Sequence, residues 1–291
     1  MDADMTMSAT AVQARKALAT CSPEPGVPKP DPILVADSVR RTFGGITAVD
    51  VDHLEVQRGS ITALIGPNGA GKTTLFNLLT GFDTVDDGKW SFDGRSMSRV
   101  APHRMARFGM VRTFQLTKSL TKLSVIENMR LGATQQIGEK WWNGLFETRW
   151  KAQERAITAR AESLLDRFKL GHMRDEYAGA LSGGQRKLLE MARALMTEPR
   201  LVMLDEPMAG VNPALKQSLN DHIRGLRDEG MTVLFVEHDM DMVHDISDWV
   251  IVMAEGRVIA EGTPDDISSN PAVIDAYLGA HQGRSLMEDE S

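Results

Sequence analysis

The sequence predicts an α/β fold with a mostly parallel core sheet, an antiparallel β element and an inserted α-helical subdomain. Three observations carry this expectation. Ile61-Thr62-Ala63-Leu64-Ile65 is a short apolar run, followed by a glycine-rich loop and then a helical pattern from Thr73 to Leu79 that Gly81 stops. After Leu201, apolar runs alternate with amphipathic stretches, which argues for a parallel sheet covered on both faces. Between these parts, over about residues 115–180, the chain turns polar and helical.

Taken in order, residues 1–30 contain no aromatic residue and end with Pro23, Pro25, Pro28 and Pro30. Alternating prolines cannot join a sheet interior, so a flexible tail is expected there. A single domain is expected over 31–284, with a second tail at 285–291. Ile33–Phe43 and Ile46–Val56 read as strands around the turn at Gly44-Gly45. Lys89-Trp90-Ser91-Phe92 and the Asp93-Gly94 turn suggest a further antiparallel piece, and Pro102–Phe108 a short helix.

In the helical block, Ser124-Val125-Ile126-Glu127 fits a capping box opening a helix through Arg130. Trp150–Leu170 reads as a long charged helix with Ile157, Leu164, Leu165 and Phe168 toward one side and Gly171 closing it. Alternation then resumes: strand Leu201–Leu204, helix Pro213–Asp228, strand Met231–Val236, helix Met240–Ile246, strand Trp249–Met253.

Composition excludes several classes. The chain has 291 residues and a net charge of −7, with both signs mixed along it, so no nucleic-acid surface is expected. Cys21 is the one cysteine, which excludes an intrachain disulfide and suits a reducing compartment. No apolar run approaches the roughly 18 residues of a membrane span.

The chemistry concentrates in two places. Gly66-Pro67-Asn68-Gly69-Ala70-Gly71-Lys72-Thr73-Thr74 fits the phosphate-binding loop pattern. A strand, a glycine loop and a helix start turn backbone N–H groups toward one point, which becomes electropositive without any side chain. Lys72 is expected to reach the β- and γ-phosphates, and the Thr73 hydroxyl to ligate Mg²⁺. The second place is Leu181-Ser182-Gly183-Gly184-Gln185, where Ser182 is a good N-cap ahead of a helix over Arg186–Met196. Leu201-Val202-Met203-Leu204-Asp205-Glu206 follows, an apolar strand carrying two carboxylates to its carboxyl end, where open α/β sheets bind ligands. Asp205 suits Mg²⁺, and Glu206 suits orienting or deprotonating an attacking water.

These motifs, in this order, resemble the ATP-binding subunits of ABC transporters, over about residues 33–280. The resemblance implies a P-loop ABC ATPase fold and ATP and Mg²⁺ as cofactors. It gives Gln115, in Arg112-Thr113-Phe114-Gln115, the role of a glutamine that contacts Mg²⁺ or water and senses the membrane partner. His238, in Val236-Glu237-His238-Asp239, takes that of a switch histidine contacting the γ-phosphate, and Phe43 that of an aromatic stacked on adenine.

It also implies a head-to-tail pair of ATPase subunits beneath two permeases, at the cytoplasmic face of the membrane. Phe43-Gly44-Gly45-Ile46 and Ala209-Gly210-Val211-Asn212-Pro213 are similar to importers of branched-chain amino acids. Urea-type importers, the lipopolysaccharide-export ATPase and soluble ABC ATPases remain alternatives. Where many members carry aspartate, this chain has Asn212, which caps a helix but carries no charge across a subunit interface. Leu116–Leu123 are expected to wall a groove for a permease helix, with Trp141 and Trp142 as candidate anchors.

Overall fold

The computed structural model describes residues 7–113, 120–133 and 147–278. Helix α1 (Ala9–Leu18) comes first, then the hairpin β1 (Pro32–Phe43) and β2 (Ile46–Gln57). Strand β3 (Ile61–Ile65) and helix α2 (Lys72–Leu79) bracket the glycine loop. Strands β4 (Asp87–Phe92) and β5 (Arg95–Ser96), helix α3 (Pro102–Met105) and strand β6 (Met110–Arg112) lead into the helical block. The block contains α4 (Val125–Arg130), α5 (Glu147–Arg167) and α6 (Gly183–Leu195). Strand β7 (Leu201–Asp205), α7 (Pro213–Asp228), β8 (Thr232–Val236), α8 (Met240–Ile246), β9 (Trp249–Ala254), β10 (Arg257–Gly262) and α9 (Pro264–Ser268) follow.

Two sheets result. The larger has the order β10-β9-β3-β8-β7-β6, parallel throughout except for the antiparallel β10 at its edge. The smaller is antiparallel, in the order β2-β1-β4-β5. The central strands are apolar at nearly every position because both faces are covered. Ile61, Ala63 and Ile65 of β3, with Val233 and Phe235 of β8, point to the face covered by the helical block, α7 and α8. Leu64, Leu234 and Val236 point to the other face, where α2 and the antiparallel sheet close a second core. Each fully buried aliphatic side chain of this kind is worth about 1.5–3 kcal/mol relative to exposure.

The sequence expectations meet three corrections. Residues 1–30 were expected as a flexible tail, yet residues 8–30 are docked on the domain. Ser8 caps α1, Ala11, Ala14 and Leu18 are buried, and Arg15 pairs with the buried Asp248 at 2.9 Å. The helix was missed because its buried face is mostly alanine and its partners lie far along the chain. The long helix is closed by Lys169 in the left-handed region (φ 56°), whereas Gly171 opens a short 3-10 turn. The helix after Ser182 starts at Gly183, three residues earlier than expected.

Candidate functional site

The parallel register brings the motifs together. Leu64 of β3 pairs with Val236 of β8, which pairs in turn with Asp205 of β7. These three residues form one row across the sheet. The glycine loop, Glu206 and His238 therefore all leave the same strand ends, the position at which open α/β sheets bind ligands.

The glycines of the loop are dictated by close backbone approach. A Cβ at Gly66 would lie 2.0 Å from the Met253 carbonyl, and one at Gly71 2.3 Å from that of Ala48. Gly69 (φ 81°) and Gly71 (φ 93°) also adopt left-handed backbone. Asn68 and Gly69 are exposed, Ala70 is buried, and Thr73 and Thr74 stand in the first turn of α2, Thr73 exposed. The Lys72 ammonium donates to the Gly66 and Pro67 carbonyls at 2.7 and 2.9 Å, folded onto its own loop. Burial pushes its pKa below the ordinary 10.5, and the Glu206 carboxylate opposes that shift. Lys72 and Glu206 thus share one electrostatic site. The Tyr277 side chain, in residues 271–278, packs against the core, and burial pushes the pKa of its phenol up.

Asp205 is 8% exposed and accepts from Arg112 at 2.6 Å; the same guanidinium also donates to Asn77 of α2 and to Thr80, which caps that helix. Glu206 is half-buried, with left-handed backbone at φ 46°. His238 presents an exposed side chain, 69% accessible, with Nδ1 3.7 Å from Glu237. Phe43 is 46% exposed at the tip of the β1–β2 hairpin, with the Arg41 guanidinium 4.7 Å from its ring centroid. That hairpin runs behind the loop, since Ala48 of β2 abuts Gly71. Gln115 lies outside the described residues, as do Leu116–Lys118, Ser119, Trp141 and Trp142.

Ser182 and Gln185 form a capping box: the Gln185 N–H donates to Ser182 Oγ at 3.3 Å and the Ser182 N–H to Gln185 Oε1 at 2.9 Å. Gly183 is exposed, with nothing within 4 Å of a Cβ placed there. Gly184 packs on α7, where a Cβ would meet Leu215 at 1.9 Å. Asn212 caps α7, accepting from the Leu215 N–H at 2.9 Å.

Three residues were given no role by the sequence reading: Arg112, Lys187 and Glu237. Glu237 carried a legible signal, a carboxylate ending an apolar strand, the same signal that marked Asp205 and Glu206. The contacts of Arg112 and Lys187 cross the fold and left no local trace.

The residues fit a magnesium ion. The Thr73 hydroxyl, in the first turn of α2, and the Asp205 carboxylate, at the end of β7, are both hard oxygen donors. Mg²⁺ is commonly held by one or two protein oxygens, with substrate phosphates and water completing its shell.

Comparison with known proteins agrees with this geometry. The family model for ABC transporters matches residues 49–209, and a model described as a branched-chain amino acid ATP-binding cassette transporter matches residues 257–282. A probable branched-chain amino acid transport ATP-binding protein LivG of Archaeoglobus fulgidus is 43% identical over 248 residues, covering 85% of this chain and 96% of its own. The high-affinity branched-chain amino acid transport ATP-binding protein BraF of Pseudomonas aeruginosa is 41% identical over 250 residues, covering 85% and 98%. A crystal structure of the ADP conformation of an ATP-binding cassette of an ABC transporter superposes with a TM-score of 0.74 at 38% identity, covering 85% and 99%.

Proposed function

This chain belongs to the ABC transporter family as an ATP-binding protein, and from that premise we propose that it energises uptake of branched-chain amino acids. It hydrolyses ATP, and the chemistry is phosphoryl transfer to water, dominated by positioning and charge neutralisation. The observation that carries the reading is the shared edge: Lys72, Asp205, Glu206 and His238 leave neighbouring parallel strands, with Glu206 acting on Lys72.

Each group has a role. The loop N–H groups and Lys72 hold the phosphates, Glu206 orients and deprotonates the attacking water, and His238 contacts the γ-phosphate. Phe43 stacks on adenine. Thr73 and Asp205 would hold Mg²⁺, which neutralises charge on the phosphates when bound, and Gln115 would approach the same ion. The solute assignment rests on full-length likeness to subunits named for branched-chain amino acid transport.

Two such subunits pair head to tail, each completing the other's site with Ser182, Gly183, Gly184 and Gln185. The outward exposure of Gly183 supports this. Among the described residues no helix is long and apolar enough to cross a membrane. The proposed attachment to the membrane is through permease partners, the arrangement of the family. A cavity of about 400 Å³, lined by Phe82, Pro102, Met105, Met110 and Val111, lies where the strand leading to Gln115 ends and suits a permease segment. Leu120 is 51% exposed on the far side of the undescribed residues 114–119.

The experiment is co-purification of the chain with its membrane partners, followed by uptake in proteoliposomes. ATP-dependent accumulation of leucine, isoleucine and valine is expected. Accumulation of urea without these amino acids would overturn the solute assignment, and absence of ATP hydrolysis would overturn the whole reading.

A further inference from the structure

Glu237 lies one residue past β8 and is 1% exposed. Its two oxygens are divided between two loops. Oε1 accepts from the Met208 N–H at 2.8 Å, in the turn that begins with Glu206, and Oε2 accepts from the N–H of His238 at 3.1 Å. One buried carboxylate therefore fixes the backbone beside the water-activating group and the backbone of the switch histidine.

The opposite side of that turn is held by Lys187, on α6, five residues after Ser182. Its ammonium donates to the Ala209 carbonyl at 2.5 Å, to Pro207 at 3.0 Å and to Glu206 at 3.4 Å. Burial lowers the Lys187 pKa, and Glu237, Glu190 and Glu206 counter the shift. The turn needs such support. Glu206 adopts left-handed backbone, a conformation that persists in a non-glycine residue only where its surroundings over-determine it. Its own N–H is anchored on the Val236 carbonyl at 3.0 Å.

We propose that Lys187 and Glu237 are a pair of positioning residues that tie the helix after Ser182 to the hydrolytic groups of the same chain. Lys187 grips the carbonyls of the Glu206–Ala209 turn and Glu237 grips its Met208 N–H. A displacement of α6, the helix whose start faces the partner's nucleotide, is thereby passed to the Glu206 carboxylate and to His238. Glu237 is buried and the Lys187 ammonium is engaged by the carbonyls of the turn, so their removal should weaken hydrolysis and spare binding.

This rests on the assignment of Glu206 to the attacking water. The test uses the full chain with Lys187→Met, Lys187→Arg, Glu237→Gln and the double variant Lys187→Met/Glu237→Gln. Readouts are thermal unfolding, affinity for a fluorescent ATP analogue with Mg²⁺, and kcat and KM for ATP. Misplacing a reacting group by an ångström costs on the order of a hundredfold, so each neutralising variant should lower kcat by roughly 10–100-fold with KM and affinity within about twofold. Lys187→Arg should recover most of the rate, and the double variant should be no slower than the slower single one. Should Glu237→Gln fail to fold, the Lys187 pair decides alone. Affinity falling in step with kcat, multiplying defects in the double variant, or no rescue by arginine would each overturn the proposal. A normal rate in Glu206→Gln would instead show that the underlying assignment has failed.

Discussion

The Arg112 guanidinium donates to the Asp205 carboxylate at 2.6 Å, with each side chain only 8% exposed. Arg112 also reaches Asn77 and Thr80, so one cation ties β6, β7 and α2 together behind the phosphate loop. Asp205 is thus a structural partner as well as the proposed metal ligand, whereas Glu206 beside it is half-buried.

The two carboxylates should therefore fail differently. Asp205→Asn should weaken use of Mg²⁺ and also destabilise the fold by roughly 1.5–3 kcal/mol, the worth of a hydrogen bond to a charged group. Glu206→Gln should keep its melting temperature and MgATP affinity while losing turnover. Paired measurements of unfolding and hydrolysis check this; matching defects in both variants would show the roles to be misallocated.

Lys72 predicts a pH dependence. Burial sets its pKa below 10.5 before nucleotide arrives, and bound phosphate favours the charged form. Binding at alkaline pH must therefore take up a proton, so MgATP affinity should fall as pH rises through the lowered pKa of Lys72. Calorimetry in buffers of different ionisation enthalpy should detect the uptake. Lys72→Ala should abolish both the uptake and tight binding, at a cost of about 3–4 kcal/mol.

The third prediction concerns Lys29. Its ammonium meets the Glu261 carboxylate at 2.9 Å, with side chains 1% and 0% exposed, and lies 4.6 Å from the Trp249 ring centroid. Removing one member of such a pair leaves an uncompensated buried charge, which costs about 3–5 kcal/mol. Lys29→Met should lower stability by that order, and Lys29→Met/Glu261→Gln should regain part of it. Denaturant unfolding of the two variants measures the difference.

A composite site can be tested by mixing. Gly183 has open space around a Cβ, so Gly183→Asp should fold and fail only by setting a carboxylate against phosphate. Lys72→Ala and Gly183→Asp should each be inactive alone. Mixed, they should regain hydrolysis, because one of the two sites then combines an intact loop with an intact Ser182–Gln185 segment. Continued inactivity despite demonstrated subunit exchange would exclude a shared site.

Sequence legibility followed how local each signal was. The bounds of α7 and α8 match the expected Pro213–Asp228 and Met240–Ile246, because Asn212 and Asp239 cap them and apolar residues mark one face. The phosphate loop and the Asp205-Glu206 strand were equally plain. Strand β6 escaped because three residues, Met110–Arg112, are too few to show a period. Strand β10 escaped because it pairs antiparallel at the edge of an otherwise parallel sheet. Helix α1 and the Lys29–Glu261 pair could not be read locally, since their partners lie some two hundred residues away; Lys29 and Glu261 are 232 residues apart.

That separation sets a schedule for biosynthesis. Lys29 leaves the ribosome long before Glu261, and at about 5–20 residues per second the wait is roughly 10–45 s. For that interval the ammonium has no carboxylate from β10 to enter a core with, and the first thirty residues stay accessible on the growing chain. A protease added to stalled nascent chains should cut near Lys29 until residue 261 has emerged, and be excluded afterwards. The docked N-terminal segment is thus a seal that closes only after residue 261 has been made.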